Sequence, residues 1–391
     1  MEMLIKQYLS PQSTDSMQLT FFARSFTMLL TLCLLHFSKT AAQEMRYVFE
    51  QGQEGYACFR IPAVVMTAEG DLLAFAEGRK NGCSDTGSID LVMKRSEDGG
   101  KSWSPLQVIW HDEGNTCGNP APLVEQQSGD ILLLATWNLG EDHESEIIAQ
   151  TSTDTRRVYL LRSTDAGRSW RNPQEITSDV KQPDWTWYAT GPGSGIQLQQ
   201  GPHAGRLMVA CDHIEADTKK YFSHVIYSDD QGKSWQLGGT TPRDQVNESE
   251  VVQLADGRLL LNMRNYDREQ RTRQLAYSED SGQSWTDMRH APDLIEPICQ
   301  GAMLRMDTKE ASYILFANPA SRDARVNMTV KASKDSGKSW QLVKQIHAGP
   351  SAYSDLVQIN EQQLGLLYEA GQESPYEGIA WEAIDVKERL P

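Results

Sequence analysis

Three arginines, a tyrosine and two acids carry the chemistry that this 391-residue sequence offers: Arg60, Arg264, Arg325, Tyr353, Glu248 and Asp85. A guanidinium fork grips a carboxylate or phosphate through parallel charge-assisted hydrogen bonds, each contributing about 1.5–3 kcal/mol. Three forks on one ligand therefore imply an anion. With 37 basic against 53 acidic residues the chain carries a net charge of −16. That field repels nucleic acid and anionic membranes, and it would repel an anionic ligand too unless arginines overrode it locally. A phenol with a pKa near ~10 becomes a nucleophile only when a neighbour takes its proton, which is the role open to Glu248 beside Tyr353. Asp85, in the small polar run GRKNGCSDTGS, suits a mobile general acid. Taken singly, each has a plainer use: a surface ion pair, a packing ring, a turn. Only their convergence on one face makes a site.

The elements that must bring them together are written as a repeat. SEDGGKSW, STDAGRSW, SDDQGKSW, SEDSGQSW and SKDSGKSW end at Trp103, Trp170, Trp235, Trp285 and Trp340, all obeying S-x-D-x-G-x-x-W. The Asp caps its own turn, the Gly supplies positive φ, and the Trp packs the turn onto neighbouring strands. These aspartates are structural.

Each box follows a short β-like run, and upstream of it lies a strand, a turn and another strand. Six such pairs occur, turning at 67–71, 125–130, 199–206, 254–258, 305–311 and 359–363. The pattern predicts an all-β fold, a six-bladed β-propeller of four-stranded antiparallel blades with little helix. GIAWEAI (378–384) would be the third strand of the last blade, and RYVFEQG (46–52) its fourth, closing the ring. The insertion 140–155 reads as an elaborated loop near the site.

In such blades the boxes share one end. Arg60, Glu248 and Tyr353 fall just before first strands; Arg79, Asp85, Arg264, Arg325 and Glu369 fall at or after the ends of second strands. All eight are thus expected at the opposite end, where propellers carry their pockets.

Arg24, the apolar run 28–37 and then SKTAAQ read as a signal peptide over 1–42, with Met17 an alternative start. The run is about half of the ~20 residues that a spanning helix needs. The expectation is one domain over 43–391, secreted or periplasmic, monomeric and without membrane insertion. Five cysteines follow the leader without a CxxC pair, so a disulfide framework is not expected; a single bridge such as Cys83 to Cys117 is open. HDE (111–113) and DHE (142–144) are isolated, and neither a metal nor another cofactor is expected.

CFRIPAVV (58–65), with its FRIP motif, and the five boxes together make the chain similar to the non-viral exo-sialidase family, from residue 46 to about 386. The resemblance implies release of terminal sialic acids from sialylated glycans, with retention, through a tyrosine nucleophile. It implies Arg60, Arg264 and Arg325 as the carboxylate-binding arginines, with Arg322 a competitor for the third place. It implies Asp85 as acid/base, Tyr353 in GPSAYSD as nucleophile and Glu248 as its base. Glu369 of GLLYE would orient Arg60, Arg79 of AEGRK would line the pocket, and Tyr188 of TWYATGPGSGIQL (186–198) would contact the sugar. Transfer to another sugar, or release of an anhydro sugar, would use the same residues; a non-catalytic lectin-like propeller would have no need of Tyr353, Glu248 and Asp85 together. Two sequons, at Asn247 and Asn327, abut proposed site residues, which favours an unglycosylated, bacterial setting.

Overall fold

The computed structural model describes residues 45–387 and 389–391. The expected signal peptide lies outside the described residues. Alternating or continuous apolar runs form strands that pair antiparallel in six sets of four. The first set is Cys58–Met66, Leu72–Arg79, Ile89–Ser96 and Gln107–Trp110, and the second is Thr116–Val124, Ile131–Asn138, Arg157–Ser163 and Gln174–Glu175. Trp185–Thr190, continued by Ile196–Gln197, pairs with Leu207–Glu215, then Tyr221–Ser228 and Gln236–Thr240. Val246–Gln253, Leu259–Asn265, Thr272–Ser278 and Thr286–Ile295 form the fourth set.

One long strand, Gln341–Asn360, serves two sets. Its first half is the last strand of the fifth set, after Ala302–Asp307, Ser312–Pro319 and Val326–Ser333. Its second half opens the sixth set, continued by Gln363–Ala370 and Gly378–Asp385. Tyr47–Glu50 pairs with Gly378–Asp385, so the start of the described chain completes its last set. Neighbouring sets meet along their first or second strands: Cys58–Met66 packs on Thr116–Val124, which packs on Trp185–Thr190, while Leu207–Glu215, the second strand of the third set, packs on Val246–Gln253, which packs on Ala302–Asp307. Cys58–Met66 also packs on Gln341–Asn360, which brings the series back to its start.

Apolar side chains fill the space between successive sets. Leu132, Leu134, Val158 and Leu160 of the second set meet Val209, Cys211 and Ile226 of the third, and each fully buried aliphatic side chain contributes about 1.5–3 kcal/mol.

The five boxes fall between third and fourth strands, and four of them repeat one hydrogen-bond pattern. In the first, Asp98 Oδ1 accepts the backbone N–H of Lys101 and Ser102, and Ser96 Oγ accepts from Gly100. Asp230, Asp280 and Asp335 do the same. Within the insertion, a short helix, Glu144–Ala149, stands where a loop is expected.

The cysteine expectation is corrected. Cys58 is bonded to Cys83, with Cα atoms 5.3 Å apart, while Cys117, Cys211 and Cys299 are free and buried. Cys58 pairs in register with Arg79, so the loop that follows Arg79 has only to fold back to bring Cys83 onto it. Cys117 packs instead into the apolar core beside Ala63, Leu91 and Leu133.

Candidate active site

In five of the six sets the register of the first strand slips by one residue near its start: between Arg60 and Ala63, Gly118 and Ala121, Trp185 and Tyr188, Val246 and Ser249, and Ser351 and Ser354. A bulge of this kind bends the strand and re-aims the side chains beside it. Arg60 borders the first of these bulges, and Asn119, Trp187, Glu248 and Tyr353 lie within the other four. All five line one cavity of about 300 Å³.

Two of the bulges are held by acids from the neighbouring set. Ile61 and Asn119 adopt φ of 58° and 51°, the left-handed region, which costs a non-glycine residue about 1–3 kcal/mol. The Ile61 N–H donates to Glu369 Oε1 at 3.0 Å and the Asn119 N–H to Glu77 Oε1 at 2.8 Å. A hydrogen bond to a charged acceptor, about 1.5–3 kcal/mol, is enough to offset the strain. Gly118 keeps room for this clamp, because a Cβ there would lie 2.5 Å from Glu77 Oε1.

The same two acids orient arginines. Glu369, fully buried, receives Arg60 Nε at 3.0 Å and Nη2 at 3.2 Å. Glu77 receives Arg79 Nε at 3.0 Å and Nη2 at 2.6 Å. Asp85 bridges the pair, 2.7 Å from Arg79 Nη1 and 3.4 Å from Arg60 Nη1, with its side chain 65% exposed. Burial pushes the Asp85 carboxyl up, but Arg79 and Arg60 pull harder the other way and hold it below the usual carboxylate range.

Opposite stands the phenol. Tyr353 Oη donates to Glu248 Oε1 at 2.5 Å and accepts from Arg264 Nη1 at 2.9 Å, while Arg264 Nη1 also donates to Glu248 Oε2 at 2.6 Å. Burial and then Glu248 drive the Tyr353 pKa well above its ordinary value, against the pull of Arg264, Arg325 and Arg60. The phenol is therefore neutral in the free protein, with its proton already directed at a base.

Arg264 Nε has no partner among the described residues. Arg325 donates to the Tyr376 hydroxyl at 2.8 Å and the Ile298 carbonyl at 3.3 Å, and it forms no ion pair with an acid among the described residues. Both keep donor capacity for an anion. Arg322 is exposed and does not line the cavity.

Of the residues expected at the site, Arg60, Arg79, Asp85, Glu248, Arg264, Arg325 and Tyr353 line the cavity, and Glu369 sits behind Arg60. Tyr188 does not reach it. Its ring is fully buried between sets, with the hydroxyl 3.1 Å from His224 Nε2, and Trp187 takes the place expected of it. Sequence reasoning also missed Glu77, Asn119, Arg156, Asp212 and Tyr266. Asp212 is 1% exposed and lines the cavity without a hydrogen-bond partner among the described residues. Burial, then Glu248 and Glu144, raises its pKa well above the carboxylate range despite Arg156 and Arg264. Glu144, from the helix of the insertion, lines the cavity and is raised by burial. Asp142 is buried and accepts the N–H groups of Thr153 and Asp154 at 2.9 Å, a structural duty. Among the described residues no group of three or more His, Cys, Asp or Glu is placed to hold a metal.

The chain matches the BNR repeat-like domain family over residues 70–367. The chain is 32% identical to a sialidase of Micromonospora viridifaciens over 84% of its own length, and 30% identical to an exo-alpha-sialidase of Aspergillus fumigatus over 81%. It spans about half of the Micromonospora protein, 53%, and 79% of the Aspergillus one. Among solved structures, the Hadza microbial sialidase Hz136 superposes with a TM-score of 0.77 at 30% identity, covering 87% of this chain and 68% of that one. The chain belongs to the sialidase family of glycoside hydrolases.

Proposed function

We propose that this protein is an exo-α-sialidase that removes terminal sialic acids from glycans with retention of configuration, on a six-bladed β-propeller whose axis ends in the cavity. The propeller reading rests on six four-stranded sets that meet in series along their first or second strands and return to the first. The functional reading rests on one observation above all: the Tyr353–Glu248 pair faces the same cavity as Arg60, Arg264 and Arg325. Secretion is part of the proposal, supported by the apolar run at 28–37 and by the Cys58–Cys83 disulfide, since such bonds persist in oxidising compartments.

Sialic acid bears a carboxylate on its anomeric carbon. Arg60, Arg264 and Arg325 would bind that group, and a carboxylate nucleophile would approach it against like charge. A neutral phenol avoids the repulsion, which is why sialidases with a tyrosine nucleophile depart from the usual pair of carboxylates. In the first step Glu248 takes the Tyr353 proton, Tyr353 Oη bonds to the anomeric carbon, and the leaving oxygen departs with the Asp85 proton. In the second, Asp85 takes a proton from water, whose oxygen displaces Tyr353, and the departing Tyr353 Oη recovers its proton from Glu248. Two inversions give retention.

Proton NMR of 3′-sialyllactose cleavage tests this reading, with the α-anomer of free sialic acid expected first. No release of sialic acid at any pH from about 4 to 8, a range spanning both carboxyl and histidine titrations, overturns it.

A further inference from the structure

Asp85 owes its position in the free protein to two ion pairs that the proposed reaction disrupts. Its partners are Arg79 and Arg60, and Arg60 is one of the arginines that the substrate carboxylate would engage. A protonated Asp85 turned toward a leaving oxygen keeps neither pair at full strength. Something else must then hold the loop 80–88.

Two residues before Asp85 stands Cys83, bonded to Cys58, which stands two residues before Arg60. The strand that carries Arg60 and the loop that carries Asp85 are thus joined covalently next to both side chains. Asp85 Cα can lie no farther than about 7 Å from Cys83 Cα, two residues of extended chain. The Cys83 carbonyl also accepts from Arg79 Nη1 at 2.7 Å. The other ties hold the two ends of the loop and its far side: the Lys80 N–H donates to the Ser88 carbonyl at 3.1 Å, Lys80 Nζ pairs with Asp90 at 3.1 Å, Ser88 Oγ donates to the Glu113 carbonyl at 3.0 Å, the Gly87 carbonyl accepts from Thr116 Oγ1 at 2.9 Å, and Thr86 Oγ1 lies 3.1 Å from His143 Nδ1.

We propose that the Cys58–Cys83 disulfide is a positioning element for the general acid, keeping Asp85 within reach of the leaving oxygen when its arginine partners are taken. The proposal rests on the reading of Asp85 as the acid. It predicts a loss that depends on the leaving group, which a merely structural bond would not produce.

The test compares the wild-type protein with Cys58→Ser/Cys83→Ser on 3′-sialyllactose and on 4-nitrophenyl sialoside. The variant is expected to lose at least about tenfold in kcat on sialyllactose, a fraction of the full general-acid effect, and less than about threefold on the nitrophenyl substrate. Its inhibition constant for the sialic-acid glycal should stay within about twofold, because the arginines remain. If the variant does not fold, native protein treated with dithiothreitol takes its place. Two electrons from that dithiol reduce the bond to two thiols, the dithiol closes to its cyclic disulfide, and the same substrate-dependent loss is expected. Parallel losses on both substrates, no loss on either, or Cys58 and Cys83 found as separate thiols in the unreduced protein overturn the proposal. A wild-type protein that turns over neither sialoside overturns the functional reading instead.

Discussion

Tyr353 Oη and Glu248 Oε1 lie 2.5 Å apart although 105 positions separate the two residues in the chain. The contact joins bulges in the first strands of the fourth and sixth sets, and Arg264 Nη1 donates both to Tyr353 Oη and to the other carboxylate oxygen, Glu248 Oε2. A phenol raised by burial would be inert alone; beside a carboxylate and under a guanidinium, it can lose its proton as it attacks. Tyr353→Phe is therefore expected to abolish turnover of good and poor leaving groups alike, measured with nitrophenyl and lactosyl sialosides.

Asp85 should matter in proportion to the basicity of the oxygen that it protonates. Asp85→Ala is expected to lose on the order of 10²–10⁴ in rate on 3′-sialyllactose and far less on 4-nitrophenyl sialoside, whose leaving group is stable without a proton. Equal losses in the two assays would move the acid elsewhere, with Glu144 as the next carboxylate in the cavity.

The pH profiles should separate the free enzyme from the complex. The proposed first step needs Asp85 protonated, and Arg79 and Arg60 hold its pKa below the usual range in the free protein. The profile of kcat/KM, which reports the free enzyme, should therefore already be falling with rising pH below the ordinary aspartate value of about 3.9. In the complex the substrate carboxylate offsets the arginines, so the fall in kcat is expected at higher pH. Steady-state profiles on 3′-sialyllactose with coincident limbs would contradict this.

Arg264→Lys keeps the charge but removes the fork that reaches Glu248 and Tyr353 and leaves Nε free. Affinity for the sialic-acid glycal should drop at least about tenfold, the loss of roughly one charge-assisted hydrogen bond. An unchanged inhibition constant would mean that Arg264 does not touch the ligand.

Asp212 gives a stability prediction with a defined sign. Its folded-state pKa is raised, so its contribution is fully present below the unfolded value of about 3.9 and is lost as pH rises through the folded value. Asp212→Asn keeps the shape and removes the titration. The melting temperature of the variant relative to wild type should climb as pH rises above the unfolded value of about 3.9, by scanning calorimetry. A constant difference would show that Asp212 does not change protonation on folding.

The sequence by itself carried the repeat, and with it the six strand pairs, because an Asp-Gly-Trp turn needs those residue types at that spacing wherever it occurs. Turn chemistry is local. It also carried Arg60, Asp85, Glu248, Arg264, Arg325 and Tyr353, whose charge and reactivity are written in their identities. What the tertiary structure alone decided is which way side chains face at the start of each first strand. One extra residue between Trp185 and Tyr188 breaks the two-residue alternation, so Trp187 faces the cavity and Tyr188 the core. Glu77 and Glu369 as clamps on Asn119 and Ile61, and Cys58 as the partner of Cys83, depend likewise on contacts between sets or across a folded loop. Such contacts arise from the packing of strands distant in sequence, and no local pattern of residues encodes them.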